Sequence, residues 1–249
     1  MDMELDNRVA IVTGASRGLG RAATEALVGE GVRVVAAARS TAALEKLQAA
    51  APDRIAVGTV DMRSAPEVAG LVDLAVDTFG RLDIVVNNAG IAPAGRFVDQ
   101  PQDQWDEVFD VNIRAPAILA RAAGPRFLAQ GAGKIINIAS TSGMKGKPTL
   151  VAYSASKGAI LQFTKALAAE WARFGIQVNS IAPGAFETEA QAAVLNDPKV
   201  LERRLRKIPA GRMGRIDEIG PLICYLASPL SNFMTGSVVV LDGGEVSKL

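Results

Sequence analysis

Residues 8–20 have the sequence RVAIVTGASRGLG and join a β-branched run to a loop that contains three glycines. The run Arg8–Thr13 predicts a strand, and a predicted helix follows at Gly18–Gly29. Glycines permit a tight turn and a close approach of phosphate, and free N–H groups at a helix start attract anions. A plain turn also contains glycines, but this loop stands between a strand and a helix. The stretch therefore predicts a dinucleotide-binding βαβ unit, although its spacing differs from G-x-G-x-x-G.

The rest of the chain repeats this alternation. Further strands are predicted at 32–37, 55–60, 82–86, 134–139, 176–182 and 238–241, and further helices at 41–50, 66–79, 102–129, 151–174 and 217–227. The strands are nearly continuous in hydrophobicity, which indicates a sheet covered on both faces. We expect one α/β domain over residues 1–249, with a doubly wound parallel Rossmann sheet and ligands at the carboxyl strand ends. The segment 185–208 interrupts this alternation of strands and helices and is predicted to be a substrate lid.

The composition excludes several classes of protein. The net charge is +1 over 249 residues, so neither nucleic acid nor a membrane is an expected partner. The chain has no histidine, which excludes a Ser-His-Asp hydrolase and a His-ligated site, and no metal is expected. The single cysteine, Cys224, fits a reducing compartment, and the acidic N-terminus lacks a signal peptide. These features predict a cytoplasmic protein whose acid–base chemistry uses a side chain other than histidine.

A set of motifs follows the glycine loop along the chain. They are Asn87-Asn88-Ala89-Gly90, Asn112, Ser140, Tyr153-Ser154-Ala155-Ser156-Lys157, Pro183-Gly184 and Thr188. Together with the loop spacing G-x-x-x-G-x-G, this set resembles the classical short-chain dehydrogenase/reductase family over nearly the whole chain. The resemblance implies an oxidoreductase that uses a nicotinamide dinucleotide, with a seven-stranded sheet in the order 3-2-1-4-5-6-7. It also implies a homotetramer.

The identity of the cofactor depends on the end of the second strand. A carboxylate there would favour NAD, but the position is Ala38, followed by Arg39. Arg39 and the loop residue Arg17 offer two guanidinium groups, which suit the 2′-phosphate of NADP(H). Solvated surface arginines, with NAD(H) as the cofactor, are the alternative. The predicted cofactor-binding residues are Gly14, Ser16, Arg17, Gly18, Leu19, Gly20, Arg39, Asp61, Met62, Asn88, Ala89, Gly90, Tyr153, Lys157, Pro183, Gly184, Phe186 and Thr188.

Two of these assignments have a structural alternative. Asp61-Met62 resembles the pair that holds the adenine in the family, but a simple strand-end aspartate would have the same position. The stretch 88–90 lies beside the ribose by the resemblance, or it only braces the central strands.

Tyr153 and Lys157 are four residues apart on a predicted helix and so share one face. A tyrosine hydroxyl ordinarily titrates near pH ~10, and a nearby ammonium lowers that pKa. The pattern Y-x-x-x-K alone is typical of solvated helix faces, so the assignment depends on the surrounding motifs. By the resemblance, Tyr153 exchanges a proton with the substrate oxygen and Lys157 tunes Tyr153. Ser140 would hold the substrate oxygen, and Asn112 would anchor a water that links Lys157 to solvent.

The substrate is predicted only as a small carbonyl compound or secondary alcohol. The expected pocket residues are Ser140, Ser142, Met144, Tyr153, Ala94 and Phe186. Lys145 and Lys147 would meet an acidic substrate or be plain loop lysines, and the basic run 203–207 would be solvated or would dock an acyl carrier protein. The stretch 181–188 resembles the gluconate 5-dehydrogenase-like branch, so that branch and the 3-oxoacyl reductases both stay open.

Two other classes of function stay open at this stage. A non-catalytic NADP-binding regulator would not need the Ser140, Tyr153 and Lys157 set. A hydrolase with a Ser-His-Asp triad on a similar sheet would need a histidine, and the sequence has none.

Overall fold

Seven parallel strands form one sheet at the centre of the computed structural model, which describes residues 2–248. The strand order is β3-β2-β1-β4-β5-β6-β7, as the resemblance implies. The strands are β1 Val9–Thr13, β2 Arg33–Ala38, β3 Ile55–Thr59, β4 Ile84–Asn87, β5 Gly133–Ile138, β6 Ile176–Pro183 and β7 Val238–Leu241. The order reverses beside β1, so the ends of β1 and β4 diverge there and leave a crevice for ligands.

Nine α-helices surround the sheet within the described residues. They are α1 Gly18–Gly29, α2 Thr41–Ala50, α3 Ala65–Phe79, α4 Gln102–Phe109, α5 Ala115–Gln130, α6 Val151–Trp171, α7 Ala192–Leu195, α8 Pro198–Leu205 and α9 Gly220–Ala227. Helices α1, α2 and α9 bury their apolar residues on one face of the sheet. Helices α3, α5 and α6 cover the other face.

Alternate residues of β1 enter the two opposite cores. Ala10 and Val12 pack with the α1 side, and Val9 and Ile11 pack with the α3 side. All four are fully buried. Because successive side chains of a strand point to opposite faces, a strand buried on both sides must be apolar throughout. This burial explains the continuous hydrophobicity of the strands.

The predicted helical stretch 102–129 is present, but it is not one regular α-helix. It divides into α4 and α5, with a π-helical turn at Asp110–Arg114 between them. The turn carries Asn112, whose side chain bonds to the backbone of Ile91 in a neighbouring loop. Such wide turns occur often at functional sites, and this one lies beside the carboxyl end of β4.

The predicted lid segment 185–208 folds as short helices. A 3₁₀ turn at Glu189–Gln191 leads into α7 and α8. Their apolar side chains pack on a small cluster that contains Ala185, Ile208 and Met213. This segment therefore has its own small core and packs as a unit at the carboxyl end of β6.

The other predicted boundaries differ from the observed ones by a few residues. The last predicted helix begins as a 3₁₀ turn at Ile216–Ile219, and α9 follows it. Within residues 2–248, no helix has the combination of length and hydropathy that crossing a membrane requires.

Candidate active site

The glycine loop joins β1 to α1 in a tight conformation. Gly14 and Gly18 have φ values of +67° and +55°, the left-handed region that favours glycine. A Cβ atom on Gly20 would overlap the carbonyl oxygen of Gly14 and would lie 2.8 Å from its carbonyl carbon. The loop can therefore close against the helix only because these positions lack side chains.

Asn88 braces this loop from the end of β4. Its side-chain amide donates to the carbonyl oxygens of Thr13 and Gly14, at 2.9 and 3.2 Å. In return, the Thr13 hydroxyl accepts the backbone N–H groups of Asn88 and Ala89. Residues 88–90 therefore brace the glycine loop, and their direct contact with a cofactor stays a prediction.

The start of α1 fits an anionic group. Arg17 precedes the helix, and no side chain caps the free N–H groups of its first turn. Uncapped N–H groups at a helix start, together with the helix dipole, bind phosphate well. Thr188 and the Glu189 carboxylate lie close to this end, since a Cβ on Gly18 would be 3.5 Å from the Thr188 methyl group and 3.7 Å from Glu189 Oε2. The Glu189 carboxylate would have to turn away from a bound phosphate. The loop, the helix start and Thr188 therefore form a cradle that fits the diphosphate of a dinucleotide.

Two exposed arginines flank the cradle on the β2 side. Arg39 follows β2 directly, where Ala38 replaces a carboxylate, and Arg17 is in the loop. Neither forms an ion pair with a residue between 2 and 248. The Asp61 carboxylate at the end of the neighbouring β3 interacts electrostatically with Arg39, but its hydrogen bonds are to Arg63. Two guanidinium groups without an ion-pair partner suit a phosphate monoester.

Asp61 is held by a residue that the sequence did not indicate. Arg63 donates two bonds from its guanidinium Nε to the Asp61 carboxylate, each at 3.0 Å. These bonds lower the pKa of Asp61 to about 2, and Met62 beside it is buried. The contact of this pair with an adenine stays a prediction, and such a contact would have to coexist with the Arg63 ion pair.

Lys157 and Tyr153 meet at the carboxyl end of β5. The Lys157 ammonium donates to the carbonyl oxygen of Ile138 at 2.6 Å and lies 5.7 Å from the centroid of the Tyr153 ring. Ser140, in extended backbone after β5, accepts the N–H of Ser142 at 3.1 Å. The Ser140 hydroxyl also interacts with the Tyr153 hydroxyl, and its proton is suited to be donated to an oxygen that lies beside both groups.

Asn112 is committed to local structure through most of its side chain. Its amide nitrogen donates to the carbonyl oxygen of Ile91 at 2.9 Å and to Ser156 Oγ at 3.0 Å. Its amide oxygen accepts the N–H of Ile91 at 2.9 Å. One lone pair of that oxygen is left to accept a hydrogen bond from a water molecule. The water-anchoring role of Asn112 stays a prediction, and it would use this lone pair.

Burial shifts the pKa values of Tyr153 and Lys157 in opposite directions. Burial raises the pKa of Tyr153, and the neighbouring Ser140 hydroxyl opposes that shift. Burial also lowers the pKa of Lys157 to about 8. The Lys157 ammonium bonds to Ile138 and not to the phenol, and the expectation that Lys157 lowers the Tyr153 pKa stays a prediction.

The predicted substrate residues do not all face one pocket. Ser142 is partly buried beside Ser140, and Met144 and Ala94 are exposed on the two loops that border it. Phe186 is different, since it is only 5% exposed and packs against Gly214. Its ring is thus part of the core under the lid segment and also lines a cavity with Arg212 and Asp242. Its contact with a substrate stays a prediction.

Pro183 and Gly184 lie at the carboxyl end of β6. Pro183 is buried at the end of β6, and the N–H of Gly184 donates to the carbonyl oxygen of Leu241 at 3.0 Å. A Cβ on Gly184 would lie 2.7 Å from that of Asp242. The close approach of β6 and β7 at this point explains why glycine follows the proline.

Gly143 is a residue that the sequence reasoning missed. A Cβ at this position would lie 2.5 Å from the backbone carbonyl of Lys157. The loop after Ser140 therefore packs directly on α6, which fixes Ser140 relative to Tyr153. The only signal in the sequence was a glycine between the serine and the tyrosine.

Within residues 2–248, no cluster of three metal-binding side chains occurs.

This chain is similar to known proteins over nearly its whole length. Residues 14–245 match the family model described as enoyl-(acyl carrier protein) reductase. The 2-dehydro-3-deoxy-D-gluconate 5-dehydrogenase of Bacillus subtilis (strain 168) is 39% identical over 98% of this chain and 96% of its own. The 3-oxoacyl-acyl-carrier-protein reductase of Thermotoga maritima is 34% identical over 98% of this chain and all of its own.

A solved structure has the same fold over the full chain. The gluconate 5-dehydrogenase from Burkholderia cenocepacia J2315, in complex with NADP and tartrate, is 34% identical and has a TM-score of 0.94. The comparison covers 100% of this chain and 98% of that one. Taken with the strand order and the glycine loop, these matches show that the chain belongs to the short-chain dehydrogenase/reductase family.

Proposed function

We propose that this protein is an NADP(H)-dependent oxidoreductase that moves hydride between nicotinamide and a small ketone or secondary alcohol. The observation that carries the proposal is the convergence of Ser140, Tyr153 and Lys157 beside the glycine cradle. A regulator that only binds a nucleotide has no need of this set. The absence of histidine excludes a Ser-His-Asp hydrolase.

The protein contributes position and proton transfer to the reaction. NADP(H), when bound, supplies or accepts the hydride at its nicotinamide ring. The Tyr153 hydroxyl donates a proton to the carbonyl oxygen in reduction and removes it from the alcohol in oxidation. The Ser140 hydroxyl bonds to the same oxygen and stabilises the charge that develops on it. Two hydroxyls on one oxygen also fix the reacting carbon in place.

Lys157 acts on this chemistry from a buried position. Its side chain is 4% exposed, and burial disfavours the charged form. A buried ammonium lowers the free energy of a nearby phenolate relative to the neutral phenol. We infer that Lys157 assists Tyr153 through this field and through a bond to the ribose of the nicotinamide.

Preference for NADP(H) over NAD(H) is supported by the two free arginines and by the solved relative. That relative was crystallised with NADP. Arg17 and Arg39 of this chain are exposed and would bond a 2′-phosphate, and position 38 is an alanine instead of a carboxylate that would repel it. The natural substrate class is proposed to be a hydroxy or keto acid of sugar type, which the relatives named for gluconate derivatives favour.

A 3-oxoacyl reductase is the second candidate, because a protein of that name is 34% identical. The test follows NADPH consumption by absorbance with a panel of neutral ketones, keto-sugar acids and 3-oxoacyl thioesters. The proposal predicts turnover with at least one member of the panel and a higher kcat/KM with NADPH than with NADH. No turnover with any member would contradict it.

We further propose a homotetramer in which helices α5 and α6 of two copies pack together. Ala155, Ala166 and Ala169 are exposed small residues along α6, and Leu128 of α5 is 44% exposed beside them. Small residues permit close helix packing, and an apolar face of this length is costly in water. Light scattering after size-exclusion chromatography measures the mass and tests this assembly.

Segment 185–208 is proposed as the substrate lid of one domain that spans residues 1–249. Its helices pack on one another and contact the cradle through Thr188. Hydrogen exchange of α7 and α8 with and without ligand tests the lid. A cytoplasmic location stays a prediction from Cys224, and cell fractionation tests it.

A further inference from the structure

Lys147 presents a cation at the rim of the candidate active site. It lies in the loop between Ser140 and α6, and its backbone N–H donates to Ser154 Oγ at 3.2 Å. Ser154 is the neighbour of Tyr153 in α6, so the start of the Lys147 side chain is held close to the reacting group. In the part of the chain that the structure describes, the ammonium has no hydrogen-bond acceptor and no ion-pair partner.

The charges around Lys147 are mostly positive. Burial lowers the pKa of Lys147, and the cations Arg204 and Lys207 lower it further, while Glu245 raises it. Glu245 already forms a two-bonded ion pair with Arg204, with one N–O distance of 2.7 Å. The nearby carboxylate is therefore occupied, and Lys147 and Lys207 keep an excess of positive charge.

Three segments of the chain meet at this point. The Lys145 ammonium donates to the carbonyl oxygen of Lys248 at 3.3 Å. The Lys248 ammonium in turn donates to the carbonyl oxygen of Arg206 at 2.7 Å. The loop after Ser140, the C-terminal segment and the end of α8 thus form one basic rim, and other bonds already hold Lys145 and Lys248 within it.

A strained turn fixes the backbone of Lys147. The N–H of Leu150 donates to the Lys147 carbonyl oxygen at 3.1 Å, which closes a four-residue turn. Thr149 is the third residue of the turn and has a φ of +65°, where a type II turn ordinarily has glycine or asparagine. A strained backbone conformation of this kind persists only where surrounding contacts hold it in place, and it occurs often at functional sites.

The same turn reaches across the pocket to the opposite loop. The Thr149 carbonyl oxygen accepts the N–H of Gly95 at 2.9 Å. Gly95 follows Ala94, one of the predicted substrate residues. The turn therefore links both walls of the pocket, and it fixes Lys147 relative to each of them.

We propose that Lys147 forms an anion subsite that binds a substrate carboxylate remote from the reacting carbon. This inference rests on the proposed function, because the carboxylate belongs to the molecule that Tyr153 and Ser140 hold. A carboxylate would supply the acceptor that the ammonium lacks and would offset the crowding of cations. Charge-assisted bonds of this kind are the strong ones in protein–ligand recognition.

The test compares two ligands that differ only at the end of the carbon chain. D-Gluconate carries a carboxylate where D-glucitol carries a CH₂OH group. Calorimetric titration of the NADPH-loaded protein measures both dissociation constants, and no hydride transfer occurs because both the cofactor and the alcohol are reduced. The titration is repeated with the variant Lys147→Gln and with the matched control Lys145→Gln, whose ammonium bonds a carbonyl oxygen on the same rim.

The subsite predicts that the parent protein binds gluconate about 10-fold to 100-fold more tightly than glucitol. Lys147→Gln should remove most of this difference, and Lys145→Gln should keep it. Equal binding of the two ligands by the parent protein, or an undiminished difference in Lys147→Gln, would overturn the subsite. NADPH consumption with a neutral ketone is measured on the same samples, since its loss would count against the proposed function and not against the subsite.

Discussion

The substitution Gly20→Ala tests the glycine cradle with a control in the same helix. A methyl group at residue 20 would overlap the Gly14 carbonyl oxygen and the Asn88 amide. Ordinary contacts of a Cβ are about 1 Å longer, so the loop and Asn88 must move apart by roughly that distance. We expect overpacking to cost about 1–3 kcal/mol, and the two Asn88 bonds to the loop to be weakened by about 1 kcal/mol each.

The same displacement should weaken NADPH binding. The N–H groups of the first turn of α1 shift with the loop, and each charge-assisted bond lost costs roughly 1.5–3 kcal/mol. We therefore expect the Kd for NADPH to rise about 10-fold to 100-fold or more. Fluorescence titration with NADPH gives the Kd, and urea unfolding gives the free energy of unfolding.

Gly29→Ala is the matched control, because a Cβ there meets no atom within 4 Å. It is the last residue of α1, and alanine in place of a helical glycine should raise the free energy of unfolding by up to about 1 kcal/mol. The NADPH Kd of this variant should equal that of the parent. An NADPH affinity of Gly20→Ala equal to that of Gly29→Ala would refute the cradle.

Three further predictions address the cofactor, the tyrosine and the sheet. Arg39→Asp should lower kcat/KM for NADPH by about 10-fold or more and favour NADH, because it replaces a charge-assisted bond to phosphate with repulsion; an unchanged NADPH-to-NADH ratio would contradict the role of Arg39. Lys157→Met should move the basic limb of the pH–rate profile to higher pH, because it removes a positive charge that favours the phenolate, and a limb that does not move would argue against the tuning role. Lys134 is buried in β5 and donates to Ser231 and Asn232, and burial lowers its pKa from 10.5 to about 8. The protonated form of Lys134 therefore destabilises the fold, and this cost is fully present below pH 8. The free energy of unfolding, measured relative to Lys134→Met, should rise by roughly 2–3 kcal/mol from about pH 7 to about pH 10. Urea unfolding that shows the same difference between the two proteins at every pH would contradict this prediction.

The sheet could be predicted from the sequence because its signals are local. Each strand is a short apolar run buried on both sides, as with β1, and the order of the sheet followed from the family resemblance. The glycine loop was also predictable, since Gly14 and Gly18 need a left-handed φ that the pattern already indicates.

The features that depend on long-range contacts were not predictable. The π-helical turn at 110–114 interrupts a pattern that is otherwise helical, and its Asn112 bonds to Ile91, which lies in a different loop. The burial of Phe186 depends on Gly214, which is distant in sequence. The pKa of Tyr153 depends on burial and on the neighbouring Ser140 hydroxyl, and neither is encoded in the four-residue spacing of Tyr153 and Lys157.

The central claim is that the Tyr153 hydroxyl transfers the proton in a protein without histidine. The most direct measurement is single-turnover oxidation of bound NADPH by the best ketone of the panel, in the parent protein and in Tyr153→Phe. Phenylalanine keeps the ring and removes only the hydroxyl, so the Kd for NADPH should stay within about 3-fold, while the rate should fall about 10²-fold to 10⁴-fold or more. A Tyr153→Phe protein that oxidises NADPH at the parent rate would contradict the claim.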